Sequence, residues 1–365
     1  WNRLTPAFAD WMPRLEAAEL EINSALAWAL EHLPPETAAQ AAPGPSEYWF
    51  RRSDPVPAYR FGVRLLEAGG LLPPRLEASA RLCAGFGGVF AGDIERATTG
   101  LDTAIDLLAG DEDWRSLVWA MMARGQNATV VGELEVAATM GQRILEVCDR
   151  HGATPPRAYG YALLGEAEFL MGGDLANARR NTEQAIEGMR LLRDPAGLNI
   201  FGLGIAAAIC AQQGDLASAE RFAVEGTTLP GAGWRASAYV ILGGWVLHPK
   251  GENQRAEDAI RRGVILAQQM SLPLWARHGM LMLARLAAQA ERWEEAASLF
   301  GAAHPQPPWG QAPHWWAPEQ AVRDALGADR FDALSATGAA TPLDQWMEIL
   351  TTHPSDRSAP APVGR

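Results

Sequence analysis

Lysine is almost missing from this chain. Of its 31 basic residues only Lys250 is a lysine, which leaves Schiff-base chemistry a single candidate, in an expected loop. The phosphate-binding pattern G-x-x-x-x-G-K-[ST] fails at that residue because Gly251 follows it, excluding a nucleotide site of that type. Cysteine is scarce as well. Cys83, Cys148 and Cys210 lie far apart within apolar helical patterns, and an odd, scattered set reads as buried reduced thiols of a cytosolic protein. No run of 18 apolar, uncharged residues is read, so no membrane span is expected. With no signal peptide either, the expected compartment is the cytoplasm. The seven histidines show neither H-x-x-x-H nor H-E-x-x-H spacing, so no metal and no cofactor is expected. A G-x-S-x-G elbow is lacking, and no catalytic constellation takes its place. The chain reads as a non-enzyme. A formal net charge of −12 argues against direct contact with nucleic acid.

What the chain does have is a repeat of small residues. Taking one alanine as landmark, it falls at Ala97, Ala137, Ala178, Ala219, Ala256 and Ala296, at spacings of 40, 41, 41, 37 and 40 residues. Seven residues after each stand Ala104, Ile144, Ala185, Gly226, Gly263 and Ala303. Twelve before each stand Gly85, Gly125, Glu166, Ala207, Gly244 and Ala284. At the exception, Glu166, the doubled Gly172-Gly173 slips the register and Gly165 stands next door.

The physical reading is a helix pair. The segment before each landmark is apolar at helical spacing, as in Leu163, Leu164, Ala167 and Leu170. It ends at a glycine suited to the left-handed conformation of a helix C-terminus. Asp93, Asp174 and Asp215 follow, placed to accept free N–H groups of the next helix. Small residues at the crossing, Gly244 among them, let the backbones approach closely. Arg261 is expected on the convex side. One such pair cannot cover its own apolar faces, so the pairs must stack into a solenoid.

Small positions in the first helix, a Gly-Asp turn and paired small residues in the second resemble tetratricopeptide repeats. The period of about 40 exceeds the usual one and implies longer helices. That variant resembles the C-terminal superhelical region of bacterial signal-transducing ATPase regulators, of the LuxR-like and antibiotic-regulatory type. Two further stretches carry the likeness. Ala25-Leu26-Ala27-Trp28-Ala29-Leu30 resembles the helix after the winged-helix part of those regulators, although Glu21 stands where the family usually has asparagine. Leu299-Phe300-Gly301-Ala302-Ala303, with Leu326-Gly327, Phe331, Gly338 and Leu343, resembles their terminal segment. The implied fold is all-α, a right-handed α-solenoid of tetratricopeptide-like helix pairs. The implied role is a sensor or interaction domain of a cytoplasmic transcriptional regulator, and the start at Trp1 instead of Met fits a piece of a longer protein.

The expected organisation has four parts. Residues 1–57 hold an N-terminal helix over 10–33 and then a loop rich in proline (Pro34, Pro35, Pro43, Pro45, Pro55, Pro57). Residues 58–303 form the solenoid, with a degenerate unit marked by Ala58. Residues 304–350 supply C-terminal cap helices, with Trp309, Trp315 and Trp316 covering the last repeat against Trp293 and Phe300. Residues 351–365 form a disordered tail or linker.

The candidate site follows from the resemblance, because in tetratricopeptide solenoids the first helix of each pair lines the concave face. Carried over, this places Trp119, Phe201 and His278 at one level of that face, Gln126, Trp245 and Arg285 at the next, and His248 beyond them. Large aromatics among polar groups suit an occupant that is part apolar and part hydrogen-bonding. The alternative for each ring is packing between repeats. The expected partner is a small-molecule effector, or a protein or peptide docked by a generic scaffold, with self-association left open.

Overall fold

The structure, a computed structural model, describes residues 7–52, 55–69, 71–110, 112–230, 232–270, 272–304 and 317–351. Among them every regular element is helical. The chain opens with α1 (Ala7–Ala17), α2 (Glu19–His32), α3 (Pro35–Ala39), α4 (Pro43–Arg52) and α5 (Val56–Glu67). Paired helices follow: α6 (Pro74–Ala91) with α7 (Ile94–Leu108), α8 (Trp114–Val131) with α9 (Leu134–Arg150), and α10 (Arg157–Leu170) with α11 (Leu175–Leu191). The fourth pair begins with α12 (Pro195–Gly197), passes through a π-helical turn (Leu198–Leu203) into α13 (Gly204–Gln212), and returns as α14 (Leu216–Thr228). The fifth joins α15 (Ala232–Ile241), a second π-helical turn (Leu242–Leu247) and α16 (Asn253–Gln269); the sixth is α17 (Pro273–Gln289) with α18 (Trp293–Ala302). Last come α19 (Ala317–Leu326), α20 (Ala328–Ala340) and α21 (Leu343–Thr351). The pairs stack into an all-α solenoid.

The turn chemistry is the one the repeat demands. Asp93, Asp174 and Asp215 accept from the backbone N–H of Arg96, Ala176 and Ser218, and Asp113 does the same for Ser116. Gly92, Gly132, Gly172, Gly214 and Gly251 take positive φ where the first helices end. All six landmark alanines are buried.

The close crossings correct the expected register in the fifth unit. Gly85 lies against Leu101 and the Ala97 carbonyl of its own pair. In the third unit the tight position is Gly165, where a Cβ would stand 3.0 Å from the Ala178 oxygen. In the fifth it is Gly243, not Gly244: a Cβ there would stand 2.5 Å from the Ala256 oxygen, whereas one at Gly244 would meet only the Met282 side chain of the next unit. The cause in the fifth unit is the π-helical turn, whose extra residue between crossing and landmark moves the contact one place back. Arg261 is also corrected. It is mostly buried and bonds Glu257 and the Leu350 carbonyl, so it ties α21 onto α16 instead of standing free on a convex face.

Both ends differ from expectation. The first helix is broken at Ala18 into α1 and α2. The segment 34–57, expected as a loop, forms α3, α4 and the start of α5. All six prolines stand within the first turn of these helices or just before it, where a missing N–H costs little. Helix α5 packs on α6 through Gly62, where a Cβ would stand 2.5 Å from the Ala84 nitrogen. At the other end α19 and α20 lie on α18, and Gly301 and Gly338 let α18 and α20 cross so closely that a Cβ on either would overlap a serine carbonyl of the other helix. Trp309, Trp315 and Trp316 lie outside the described residues, as does the tail beyond Thr351.

One stretch, Pro195–Gln212, is long and apolar enough to span a bilayer by composition, but 82% of it is buried inside the solenoid, which accounts for its apolarity. Cys83, Cys148 and Cys210 are buried and unpaired with one another, and burial pushes the Cys148 thiol up to about 11.

The register makes a direct prediction. Gly243→Ala should lower stability by about 1–3 kcal/mol through overpacking, and Gly244→Ala by less than that, because only a flexible methionine must move. Thermal melts of the two variants decide it; equal losses would contradict the assigned crossing.

Candidate functional site

Helix α4 lies where the first helices converge. The Phe50 ring is fully buried and sits 5.0 Å from Phe86 of α6, 5.3 Å from Trp119 of α8, 5.9 Å from Phe201 and 5.7 Å from Trp234 of α15. Four units therefore meet on one side chain. The Trp234 indole N–H donates to the Phe50 carbonyl at 2.8 Å. Tyr159 extends the cluster edge-on to Trp119 and Phe201. Phe90 touches Trp234 at 5.7 Å, so the first unit reaches the fifth directly.

The next residue adds charge. Arg51 bonds Glu47 at 3.1 Å and Asp194 at 3.0 Å, all buried. Asp194 also accepts from Tyr159 Oη at 2.6 Å and from the Gly197 N–H that opens α12. Burial works against the Arg51 charge, and Asp194, Tyr159 and Glu47 outweigh it, so its pKa stays above the ordinary arginine value. Burial and the Asp194 charge together push Tyr159 well above the usual phenol range.

This arrangement reassigns part of the expected site. Trp119 and Phe201 are sealed beneath Phe50 and offer no surface to an outside partner. Gln126 is buried too, donating to Thr129 Oγ1 at 3.1 Å. Beside them the Glu166 carboxyl is wholly enclosed; burial pushes it up to about 8 against the opposing effect of a Thr129 hydrogen bond. His278 is buried next to Trp275. Its enclosure, and then the charge of Arg285, push it down to about 4, so the imidazole is neutral.

The other three expected residues do come together. Trp245, His248 and Arg285 line a cavity of about 410 Å³ with Ala211, Gln212, Gly244 and Pro249. Trp245 lies in the second π-helical turn and rests on Phe169 at 5.8 Å. His248 closes that turn, its N–H donating to the Gly243 carbonyl, while its ring bonds Asn253 at 3.0 Å. Burial holds Arg285 below its ordinary value. The cavity thus offers an indole face, an imidazole, an amide and a guanidinium. The first helices thus carry two regions, a ring cluster closed by α4 and a separate open cavity.

Sequence reasoning missed Phe50, Arg51, Trp234 and Asp194. The signal was Tyr48-Trp49-Phe50 followed by two arginines inside a stretch read as loop. Among the described residues no group of three or more His, Cys, Asp or Glu side chains is gathered as a metal site requires.

Comparison with known proteins rests on shape. No family model and no curated protein matches the sequence. A crystal structure of a Rap protein complexed with competence and sporulation factor is similar in fold, with TM-score 0.58 at 14% identity over 88% of this chain and 82% of that one. A second structure, BtubC (BKLC) from P. vanneervenii, gives TM-score 0.42 at 14% identity over 66% of this chain and 92% of that one, too low to carry an argument. The first defines the class: a tetratricopeptide-like helical solenoid. These comparisons do not show the regulator family suggested by the terminal segment.

Two outcomes follow. Phe50→Ala should destabilise the chain by about 3–5 kcal/mol, read as a shift in the denaturant midpoint; a loss under 1 kcal/mol would mean that α4 is not integral. The folded state holds the Glu166 proton more tightly than the unfolded chain, whose carboxyl titrates near 4.5. Its contribution to stability is full below that value and is lost as pH rises through about 8. Glu166→Gln should therefore raise the melting temperature by several degrees above pH 8 and flatten its pH dependence.

Proposed function

We propose that this chain is a non-enzymatic interaction scaffold that docks a peptide or a short helix on the inner wall of its solenoid. The observation that carries this reading is α4 itself. The wall already holds a ten-residue helix by one aromatic anchor and one ion pair, which is how a groove recognises a helix. The first helices of later units line a separate cavity at Trp245, His248 and Arg285, where a further apolar and polar anchor fits. The similar Rap protein was solved with a factor bound, and that supports the same use here.

A second reading, the sensor domain of a cytoplasmic bacterial transcriptional regulator, rests on the resemblance at residues 299–303, 326–327, 331, 338 and 343. The specific observation in its favour is the cavity, whose volume lies within the range of small-ligand sites. An effector there would shift the solenoid between arrangements by its differential affinity.

Native mass spectrometry of the chain purified from its host separates the two. The scaffold reading expects a retained peptide or protein that is lost in the Trp245→Ala/Arg285→Ala double variant. A retained metabolite lost in the same variant would support sensing, and retention of any partner unaffected by the double variant would contradict the assigned wall.

A further inference from the structure

A cavity larger than that of Trp245 lies elsewhere in the solenoid. It is a groove of about 900 Å³ framed by α15 with its π-helical turn, by α16 and by the end of α21, and it shares no lining residue with the Trp245 cavity. Its floor is apolar, with Leu242, Leu247, Ala259, Ile265, Leu266 and Leu350. Its rim is basic: Arg235, Arg255, Arg261 and Arg262 against the lone acid Asp258. That concentration runs against a chain whose net charge is −12.

The arginines are not equivalent. Arg261 is committed to Glu257 and the Leu350 carbonyl, and Arg255 to Glu252. Arg235 and Arg262 make no ion pair among the described residues. The Arg262 guanidinium lies over the Tyr239 ring at 5.4 Å, which holds it at the groove edge without neutralising it. Arg235 keeps Nε buried with no hydrogen-bond partner. Two uncompensated cations therefore flank an apolar trough.

The spacing sets the size of the occupant. Arg235, Tyr239 and Leu242 form one stripe along α15 and its turn, and Arg255, Ala259, Arg262 and Leu266 another along α16. Eleven residues of helix rise about 16 Å, which about five residues of extended chain span. We infer that this groove is a second docking surface, specific for an acidic peptide segment that carries an apolar anchor: carboxylates against Arg235 and Arg262, the anchor on Leu242, Ile265 and Leu266. The segment after Thr351 is a poor fit in charge, since it has one acid, Asp356, against Arg357 and Arg365.

The test is fluorescence anisotropy on the full chain with a labelled peptide of about ten residues alternating Glu and Leu, and with its Lys-and-Leu counterpart. The expected result is binding of the acidic peptide only, weakened by salt. It should fall about tenfold or more in Arg235→Glu/Arg262→Glu and in Ala259→Trp, which fills the trough without altering charge. Trp245→Ala should bind as the parent does. Equal binding of both peptides, indifference to the charge reversal, or loss in Trp245→Ala would each overturn the proposal. So would peptide-independent self-association dispersed by Arg235→Glu/Arg262→Glu, which would make the occupant a second copy of this chain.

Discussion

The ring of Phe50 ties four of the helix pairs to one another. A solenoid ordinarily gains its stability from each repeat and its immediate neighbour, and nothing in a helix pair dictates how tightly the superhelix must curl. Here one side chain from outside the repeats lies against rings of the first, second, fourth and fifth units. The Trp234–Phe50 hydrogen bond and the Arg51–Asp194 pair fix the direction in which the helix carrying that ring enters. Units far apart in sequence are thereby coupled, and removal of Arg51 would leave the buried Asp194 carboxylate without its cation.

The same contact closes one of two regions on the first helices. Where α4 lies, the region is aromatic and closed, and its polar neighbours Glu166 and Gln126 are enclosed with it. A separate cavity is open at Trp245, His248 and Arg285. Phe201 and Trp245, one ring in each region, both stand in π-helical turns. Such turns expose an irregular backbone register and recur at functional sites. Here one contributes a ring to the closed region and the other a ring to the open one.

Much of this was readable in the residues, for reasons that can be named. Landmark alanines and crossing glycines are legible because a bulky side chain cannot stand there, and Gly-Asp turns because only those residues suit the end of one helix and the cap of the next. Trp119 and Phe201 of the expected stripe pack together on Phe50, whereas Trp245 rests on Phe169. What covers Trp119 and Phe201 was not legible, since the occupant arrives from residues 43–52, remote in sequence from the positions it covers. That occupant was hidden by its prolines, read as breakers although Pro43 and Pro45 sit in a first turn. The shift from Gly244 to Gly243 was hidden because a π-helical turn leaves no mark in hydrophobic spacing. Gly301 and Gly338, singled out in the sequence, stand where two helices cross at backbone distance.

The most direct test of the central claim is amide hydrogen exchange read by mass spectrometry on the intact chain. If Phe50 ties these helix pairs together, the amides of α4 should exchange only with those of α8 and α15, in one cooperative opening. Fast exchange of residues 43–52 while α8 and α15 remain protected would contradict it.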